Sequence, residues 1–212
     1  MCSGRVDLEF MLRAFSNGQD GVFIGGCKLD ECNYITHGNY DALSNTYLCK
    51  KIMEHIGLNP ERLRIQFMSG ADGNLLAEVA DDFTKKVKAL GPLGKGEGID
   101  PGGLKLKLEA VRKLVPYIRL VERERLRIPL KSKEAYERFF TSDEFNGLFN
   151  DLIANKLAMS QIMLLLRESS LSTAGISEKL GLSPSEVSKY MNISSRHGLV
   201  RYDEGRKCYA LA

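Results

Sequence analysis

Asp20-Gly21-Val22-Phe23-Ile24-Gly25-Gly26-Cys27 is the stretch that decides the fold of the amino-terminal part of this chain. Its short apolar run lies between glycines, which is typical of a strand buried in a parallel sheet. Helical periods and strand-like runs alternate around it, at residues 7–15 (helix), 22–24 (strand), 40–56 (helix), 63–68 (strand) and 75–90 (helix). This alternation predicts an open α/β sheet with flanking helices. Because two strands make a poor sheet, we expect one or two further strands, upstream of Met1 or from a partner.

Three cysteines lie at the ends of these predicted segments. Cys27 follows the glycine pair, Cys32 comes after four intervening residues, and Cys2 precedes the first predicted helix. The C-x4-C spacing occurs among the ligands of plant-type iron–sulfur ferredoxins. Both loops would lie at the carboxyl ends of parallel strands, where open α/β sheets bind their ligands. The spacing alone leaves an alternative open, in which the three thiols are packed as small hydrophobic residues.

Composition limits the class of protein. The chain has 212 residues, a formal net charge of +3 and five cysteines, an odd number concentrated towards one end. That distribution argues against a disulfide framework and favours metal binding or redox chemistry in a reducing cytosol. No apolar run would span a bilayer and no signal peptide opens the chain, so we expect a cytoplasmic protein. Cys49 falls inside a predicted helix and Cys208 in a predicted hairpin, where packing roles are expected.

The carboxyl-terminal part predicts a winged helix. Two apolar helices, at residues 159–166 and 171–180, are followed by a turn at Gly181. Ser183-Pro184-Ser185-Glu186 then opens a third helix with a capping box, and a hairpin follows. The predicted organisation is an α/β iron–sulfur domain, a Gly/Pro linker, a helical connector and a winged helix-turn-helix domain, at residues 1–91, 92–103, 104–156 and 157–212.

A winged helix has two common uses, and the sequence leaves both open. Readout of DNA bases would come from outward residues of the third helix and phosphate contacts from the wing: Ser185, Ser188, Lys189, Asn192 and Arg196, with Arg201, Arg206 and Lys207. The other use is docking to a protein. Acidic residues dilute the basic ones, at Glu186, Asp203 and Glu204. Together with a family resemblance of the amino-terminal part, this dilution favours docking, with DNA as the less favoured partner.

Several motifs together resemble one known family. They are Cys2-Ser3-Gly4-Arg5-Val6-Asp7, the stretch from Asp20 to Cys27, Cys32-Asn33-Tyr34, Gly38-Asn39-Tyr40 and Gly57-Leu58-Asn59-Pro60-Glu61-Arg62-Leu63. In this order they are similar to the delta subunit of methyl-viologen-reducing hydrogenase (MvhD), over a little under half of the chain. The resemblance implies a 2Fe-2S cluster and electron transfer from a hydrogenase or formate dehydrogenase to the flavin subunit of heterodisulfide reductase. It makes Cys2, Cys27 and Cys32 the candidate metal and cofactor ligands.

The sequence departs from the family pattern in two places. Asn33 follows Cys32 where the family usually has histidine. The family also has a strand and a Cys-x-x-Cys segment before Cys-Ser-Gly-Arg, and the matching positions here cannot complete a four-thiolate site without them. We therefore expect Met1 to be an internal methionine of a longer reading frame, or the missing segment to be a separate companion chain.

The resemblance thus predicts an electron-transfer subunit. Because no phosphate loop, nucleophile elbow or carboxylate pair appears, we expect it to make no bonds itself. The runner-up is a redox-responsive winged-helix transcriptional regulator. A third alternative is an adaptor whose cysteines are structural.

Overall fold

A computed structural model of the chain describes residues 2–34 and 38–212. The prediction about Met1 concerns a residue outside these ranges. The chain forms two compact units, Met1–Asn150 and Asp151–Ala212. We refer to them as the amino-terminal and the carboxyl-terminal unit. The residues predicted as a separate helical connector lie, up to Asn150, in the same unit as the predicted iron–sulfur domain.

The amino-terminal unit contains the predicted parallel sheet. Strands β1 (Val22–Gly26) and β2 (Leu63–Phe67) pair in register from Val22 opposite Leu63 to Gly26 opposite Phe67. The α/β fold class with a small parallel sheet is therefore confirmed. Its first three helices are α1 (Leu8–Ser16), α2 (Asn39–His55) and α3 (Gly73–Leu90).

Helix α1 buries the apolar residues whose helical spacing predicted it. Asp7 caps its first turn, since the carboxylate accepts a hydrogen bond from the Phe10 backbone N–H. The apolar side chains that recur every three or four residues are all buried: Leu8, Met11, Leu12 and Phe15. One face of the helix therefore joins the core of the unit.

The prediction of a linker over residues 92–103 is wrong at its carboxyl end. Helix α4 (Pro101–Arg125) begins inside that stretch, because Pro101 occupies its first turn and the Asp100 carboxylate accepts from the Gly103 backbone N–H. The predicted helix over residues 132–152 is also interrupted. Ser142 caps a new helix, so α5 (Lys133–Phe140) and α6 (Asp143–Phe149) are separate, and a π-helical segment, Asn150–Ala154, follows.

The carboxyl-terminal unit is a winged helix, as predicted. It comprises α7 (Asn155–Glu168), α8 (Thr173–Leu180), α9 (Pro184–Arg196) and an antiparallel hairpin of β3 (Val200–Asp203) and β4 (Cys208–Leu211). The capping box between Ser183 and Glu186 is formed, and Gly181 adopts the left-handed conformation that ends α8. Its core is built from all three helices and β3: Ala158, Ile162, Leu166, Ile176, Val187, Tyr190, Met191 and Val200.

In the two ranges that the structure describes, no helix combines the length and the apolar character needed to cross a membrane.

Candidate metal centre

The three predicted ligands lie at the ends of short backbone segments. Cys2 precedes a single turn of 3-10 helix, Ser3–Arg5, and its Sγ accepts a hydrogen bond from the Gly4 backbone N–H at 3.4 Å. Cys27 directly follows β1. Cys32 directly follows a second 3-10 turn, Leu29–Glu31. The fold therefore holds all three on loops, as the sequence predicted.

The structure brings the three sulfurs together. Partial desolvation raises the pKa of the Cys27 thiol although the residue is exposed, and the neighbouring Cys32 and Cys2 raise it further. The pKa of Cys32 is lowered, first by a backbone hydrogen bond from Tyr34 and also by hydrogen bonds from Cys27 and Cys2. The pKa shift of Cys32 is therefore in the direction that favours its thiolate. Cysteine sulfurs are donors of the kind that soft cations prefer.

Two glycines allow this close approach. A Cβ atom at Gly38 would lie 2.4 Å from the Cys32 Sγ, and one at Gly4 would lie 2.5 Å from the Gly38 carbonyl oxygen. Neither position has room for any side chain. Gly38 also precedes α2, so the Asn39 backbone N–H at the start of that helix donates to Cys32. The partial positive charge of the helix terminus contributes to holding a thiolate there.

The side chain of Asn39 connects α2 to the Cys27 loop. It is completely buried, and its Nδ2 donates to the carbonyl oxygens of Lys28 at 2.6 Å and Cys27 at 3.0 Å. The same nitrogen lies 3.6 Å from the Cys27 Sγ, within hydrogen-bonding reach of a sulfur. Asn39 therefore fixes the path of the loop and contacts one of the candidate ligands.

Exposure distinguishes the site cysteines from the other two. Cys27 is exposed, and Cys2 and Cys32 are partly exposed, which disfavours the alternative of three packed hydrophobic thiols. Cys49 is fully buried in α2, and burial raises its pKa to about 12. Cys208 is buried in β4 of the other unit. The packing roles predicted for Cys49 and Cys208 agree with these positions.

The residues present fit part of an iron–sulfur site. Among residues 2–34 and 38–212, no set of three or more His, Cys, Asp or Glu side chains stands ready to hold a metal ion. Three interacting thiols are nevertheless the right donors for iron, and two buried oxygens without partners, Ser3 Oγ and Asn39 Oδ1, belong to residues that adjoin them. We conclude that the donor set suits three ligands of a cluster and leaves further coordination to other groups.

Two residues of the site were not assigned a role from the sequence. Ser3 and Asn39 both lie in the motifs that carried the family resemblance, but nothing in their spacing indicates a contact with the Cys27 loop. Asn39 is twelve positions from Cys27 along the chain. The one sequence feature that could have indicated a role for them is that each is a small polar residue beside a cysteine (Ser3) or a glycine (Asn39).

The predicted DNA-reading residues mostly lie on an exposed surface of the winged helix. Ser185, Lys189, Asn192 and Arg196 form an exposed stripe along α9, whereas Ser188 is half-buried. The wing cations, at Arg201, Arg206 and Lys207, are also exposed.

Two sequence families match the chain. Residues 1–91 match the family described as "Methyl-viologen-reducing hydrogenase, delta subunit". Residues 158–202 match the family described as "Bacterial regulatory protein, arsR family". The first match ends near the start of the predicted linker, and the second lies within the winged helix.

Individual relatives match the same amino-terminal region. An F420-non-reducing hydrogenase iron-sulfur subunit of Archaeoglobus profundus is 45% identical over 91 residues, which are 43% of this chain and 66% of the relative. An F420-non-reducing hydrogenase vhu iron-sulfur subunit of Methanopyrus kandleri is 37% identical over 92 residues, or 43% of this chain and 69% of the relative. One subunit of the Ferredoxin/F(420)H(2)-dependent CoB-CoM heterodisulfide reductase of Methanosarcina acetivorans is 44% identical over 94 residues, or 44% of this chain. The chain spans 12% of the length of that last relative.

Proposed function

Because the chain belongs, through its amino-terminal 91 residues, to the family of the methyl-viologen-reducing hydrogenase delta subunit, we propose that it is an iron–sulfur electron-transfer subunit. The observation that carries the proposal is the close packing of the three cysteine-bearing segments: Gly38 lies against the Cys32 Sγ, Gly4 lies against the Gly38 carbonyl, and Asn39 Nδ2 lies 3.6 Å from the Cys27 Sγ. The three cysteines of these segments would hold a 2Fe-2S cluster. Such a cluster, when bound, takes up and releases single electrons.

The chain's own residues would do three things for the cluster. The thiolates of Cys2, Cys27 and Cys32 would bind iron, with the remaining ligand coming from outside this set, since Cys49 and Cys208 are buried elsewhere. The glycines would let the backbone approach the cluster closely. The exposure of Cys27 would bring one edge of the cluster to the protein surface, where a partner's redox group can exchange electrons with it.

The proposed partners are supported by the names of the relatives and by the family resemblance. In Methanosarcina acetivorans a segment 44% identical to this chain is 12% of one polypeptide of a heterodisulfide reductase. Other relatives are iron-sulfur subunits of F420-non-reducing hydrogenases. We infer that the electrons come from a subunit of a hydrogenase or formate dehydrogenase and go to the flavin subunit of a heterodisulfide reductase.

The test is the iron content of the native protein. We expect the chain, isolated anaerobically with the chains that co-purify, to contain about two iron and two sulfide per copy and to give an EPR signal on reduction. Hydrogen or formate should reduce the cluster and produce this signal when the matching dehydrogenase is present. A colourless, iron-free sample would contradict the proposal.

A second function is supported by the charge of the winged helix. Among the described residues, none of the five cations on α9 and the wing forms an ion pair within 4.0 Å: Lys189, Arg196, Arg201, Arg206 and Lys207. Two of the nearby carboxylates are engaged locally, since Glu186 accepts from the Ser183 backbone N–H and hydroxyl and Asp203 accepts from the Arg206 backbone N–H. An exposed stripe of Ser, Lys, Asn and Arg with cations on the wing suits the major groove and the flanking phosphates of duplex DNA.

Arg196→Ala should separate DNA binding from protein docking. If the stripe reads bases, the full-length variant loses about 1–3 kcal/mol of affinity for its preferred site in a gel-shift titration against genomic fragments. The matched control is Lys179→Ala, an exposed cation on α8 that is not among the predicted DNA contacts, which should leave the affinity unchanged. Equal losses from both variants, or no shift of any fragment at low salt, would favour docking to a protein.

A further inference from the structure

Asn39 presents its amide in one orientation. Its Nδ2 donates to two carbonyl oxygens of the cysteine loop, at 2.6 Å and 3.0 Å. A carbonyl can only accept, so the nitrogen has to face the loop and the Oδ1 has to face away from it. This orientation also directs Nδ2 to the Cys27 sulfur at 3.6 Å.

This orientation costs free energy in the metal-free protein, because it leaves the Asn39 Oδ1 without a hydrogen-bond donor. Asn39 is completely buried, and its Oδ1 has no hydrogen-bond partner. A buried acceptor without a partner costs on the order of 1–3 kcal/mol. The fold thus keeps a donor against Cys27 at the expense of an unsatisfied oxygen on the same side chain.

Ser3 presents a second polar group without a partner. Its Oγ is buried and makes no hydrogen bond. A Cβ atom at Gly26 would lie 3.0 Å from this oxygen, so the hydroxyl lies against the residue that precedes Cys27, and Ser3 itself follows Cys2. Of the three buried oxygens without partners among the described residues, Ser3 Oγ and Asn39 Oδ1 therefore belong to residues that adjoin the cysteines, and the third, Ser194 Oγ, is in the other unit.

Both groups can donate a hydrogen bond to sulfur. A hydroxyl hydrogen rotates freely, so Ser3 can point its O–H at a sulfide or thiolate. The two N–H hydrogens of Asn39 are bonded to the carbonyl oxygens of Cys27 and Lys28, so Asn39 reaches the Cys27 sulfur at 3.6 Å by sharing one of them. Reduction of an iron–sulfur cluster increases the negative charge on its sulfurs. A donor held against a sulfur therefore stabilises the reduced form more than the oxidised form and raises the reduction potential.

We infer that Ser3 and Asn39 are positioning residues that donate hydrogen bonds to the sulfurs of the cluster site and raise its reduction potential. This inference rests on the proposed function. Asn39 acts at the Cys27 thiolate and also holds the loop, whereas Ser3 acts only on the bound group, because its hydroxyl has no partner in the protein.

The experiment compares Ser3→Ala with Ser16→Ala, in which the removed hydroxyl donates to the Leu12 carbonyl of α1 at 2.8 Å. Each full-length variant is isolated anaerobically with its co-purifying chains, and the potential of the cluster is measured by EPR-monitored redox titration. We expect Ser3→Ala to lower the potential and shift the EPR g values, and not to lower the unfolding temperature of the metal-free protein, because the removed hydroxyl is buried without a partner. Ser16→Ala should leave the potential and the g values as they are.

Asn39→Ala is the second test variant in the same redox titration. It should lower the potential as well, but it should also lower the unfolding temperature of the metal-free protein, because two hydrogen bonds to the loop are lost. If the wild-type protein binds a cluster and both variants keep its potential and g values, the inference is wrong and the proposed function stands. If the wild-type protein binds no cluster, the proposed function itself fails.

Discussion

Cys32→Ala is expected to abolish cluster binding and to have the largest functional effect of any single substitution in this protein. The pKa of Cys32 is lowered, first by the hydrogen bond from the Tyr34 backbone and also by the neighbouring Cys27 and Cys2. Its replacement removes one of the three candidate ligands. Since even residues outside the ligand set change metal affinity by about 10–100-fold, we expect a loss of about 100-fold or more.

The measurement is iron and sulfide content together with EPR of the reduced sample, made on chain and partners isolated anaerobically. Cys208→Ala is the matched control, because it removes a cysteine from β4 of the carboxyl-terminal unit and should leave the iron content unchanged. If Cys32→Ala retains the wild-type amount of iron and the same EPR signal, these three residues do not hold the cluster.

Arg62→Met is expected to destabilise the amino-terminal unit by about 3–5 kcal/mol. Arg62 is completely buried. Its Nε donates to Glu97 Oε1 at 2.6 Å and its Nη2 to Glu97 Oε2 at 3.2 Å. The remaining donors reach four backbone carbonyls, those of Asp20, Leu90, Gly91 and Pro92. Methionine would fill a similar volume but leave a buried carboxylate and several carbonyls without donors.

The effect should be measured by urea unfolding at neutral pH. Arg64→Met is the control, since Arg64 pairs at 2.6 Å with Asp82 at the protein surface and its removal should change the midpoint little. Adding Glu97→Gln to Arg62→Met should recover part of the loss, because the uncompensated charge is then gone. An Arg62→Met protein as stable as the Arg64→Met control would show that the buried pair contributes nothing.

The same pair sets a dependence on pH. Burial alone would raise the pKa of Glu97, but the hydrogen bond and charge of Arg62 and the backbone N–H groups of Asn59 and Gly94 outweigh it, and the net shift is downward. A carboxyl group whose pKa is lower in the folded state contributes stability above its unfolded pKa of about 4.3 and loses it as the pH falls through the folded value. The wild-type protein should therefore lose more stability than Arg62→Met between neutral pH and acid.

Local structure was the part of this protein that the sequence predicted best. The apolar spacing of α1, the glycine-bounded strand β1 and the capping box at Ser183 and Glu186 each depend on residues a few positions apart. Interactions between residues so close in the chain can be predicted directly from the order of the side chains. The α/β fold of the amino-terminal unit and the winged helix were confirmed because both depend on such short-range patterns. The family resemblance, which rests on short motifs, was confirmed as well.

The predicted linker failed at its carboxyl end because its glycines suggested a loop, although the adjacent Asp100 and Pro101 start a helix. Gly102 and Gly103 are weak helix formers, yet Pro101 and the Asp100 cap start α4 at that point. Residues 90–97 are held by Arg62, which lies about thirty positions earlier in the chain. No local pattern marks Arg62 as buried, since arginine usually lies at the surface.

The sequence by itself determined the helices, the strands, the winged helix and the choice of cysteines as candidate ligands. Only the tertiary structure decided that Cys2 meets Cys32, that Asn39 reaches Cys27, and that Ser3 lies against Gly26. The physical reason is that periodicity and capping act within one or two turns of chain, whereas a site assembled from separate loops depends on how close two glycine backbones can pack.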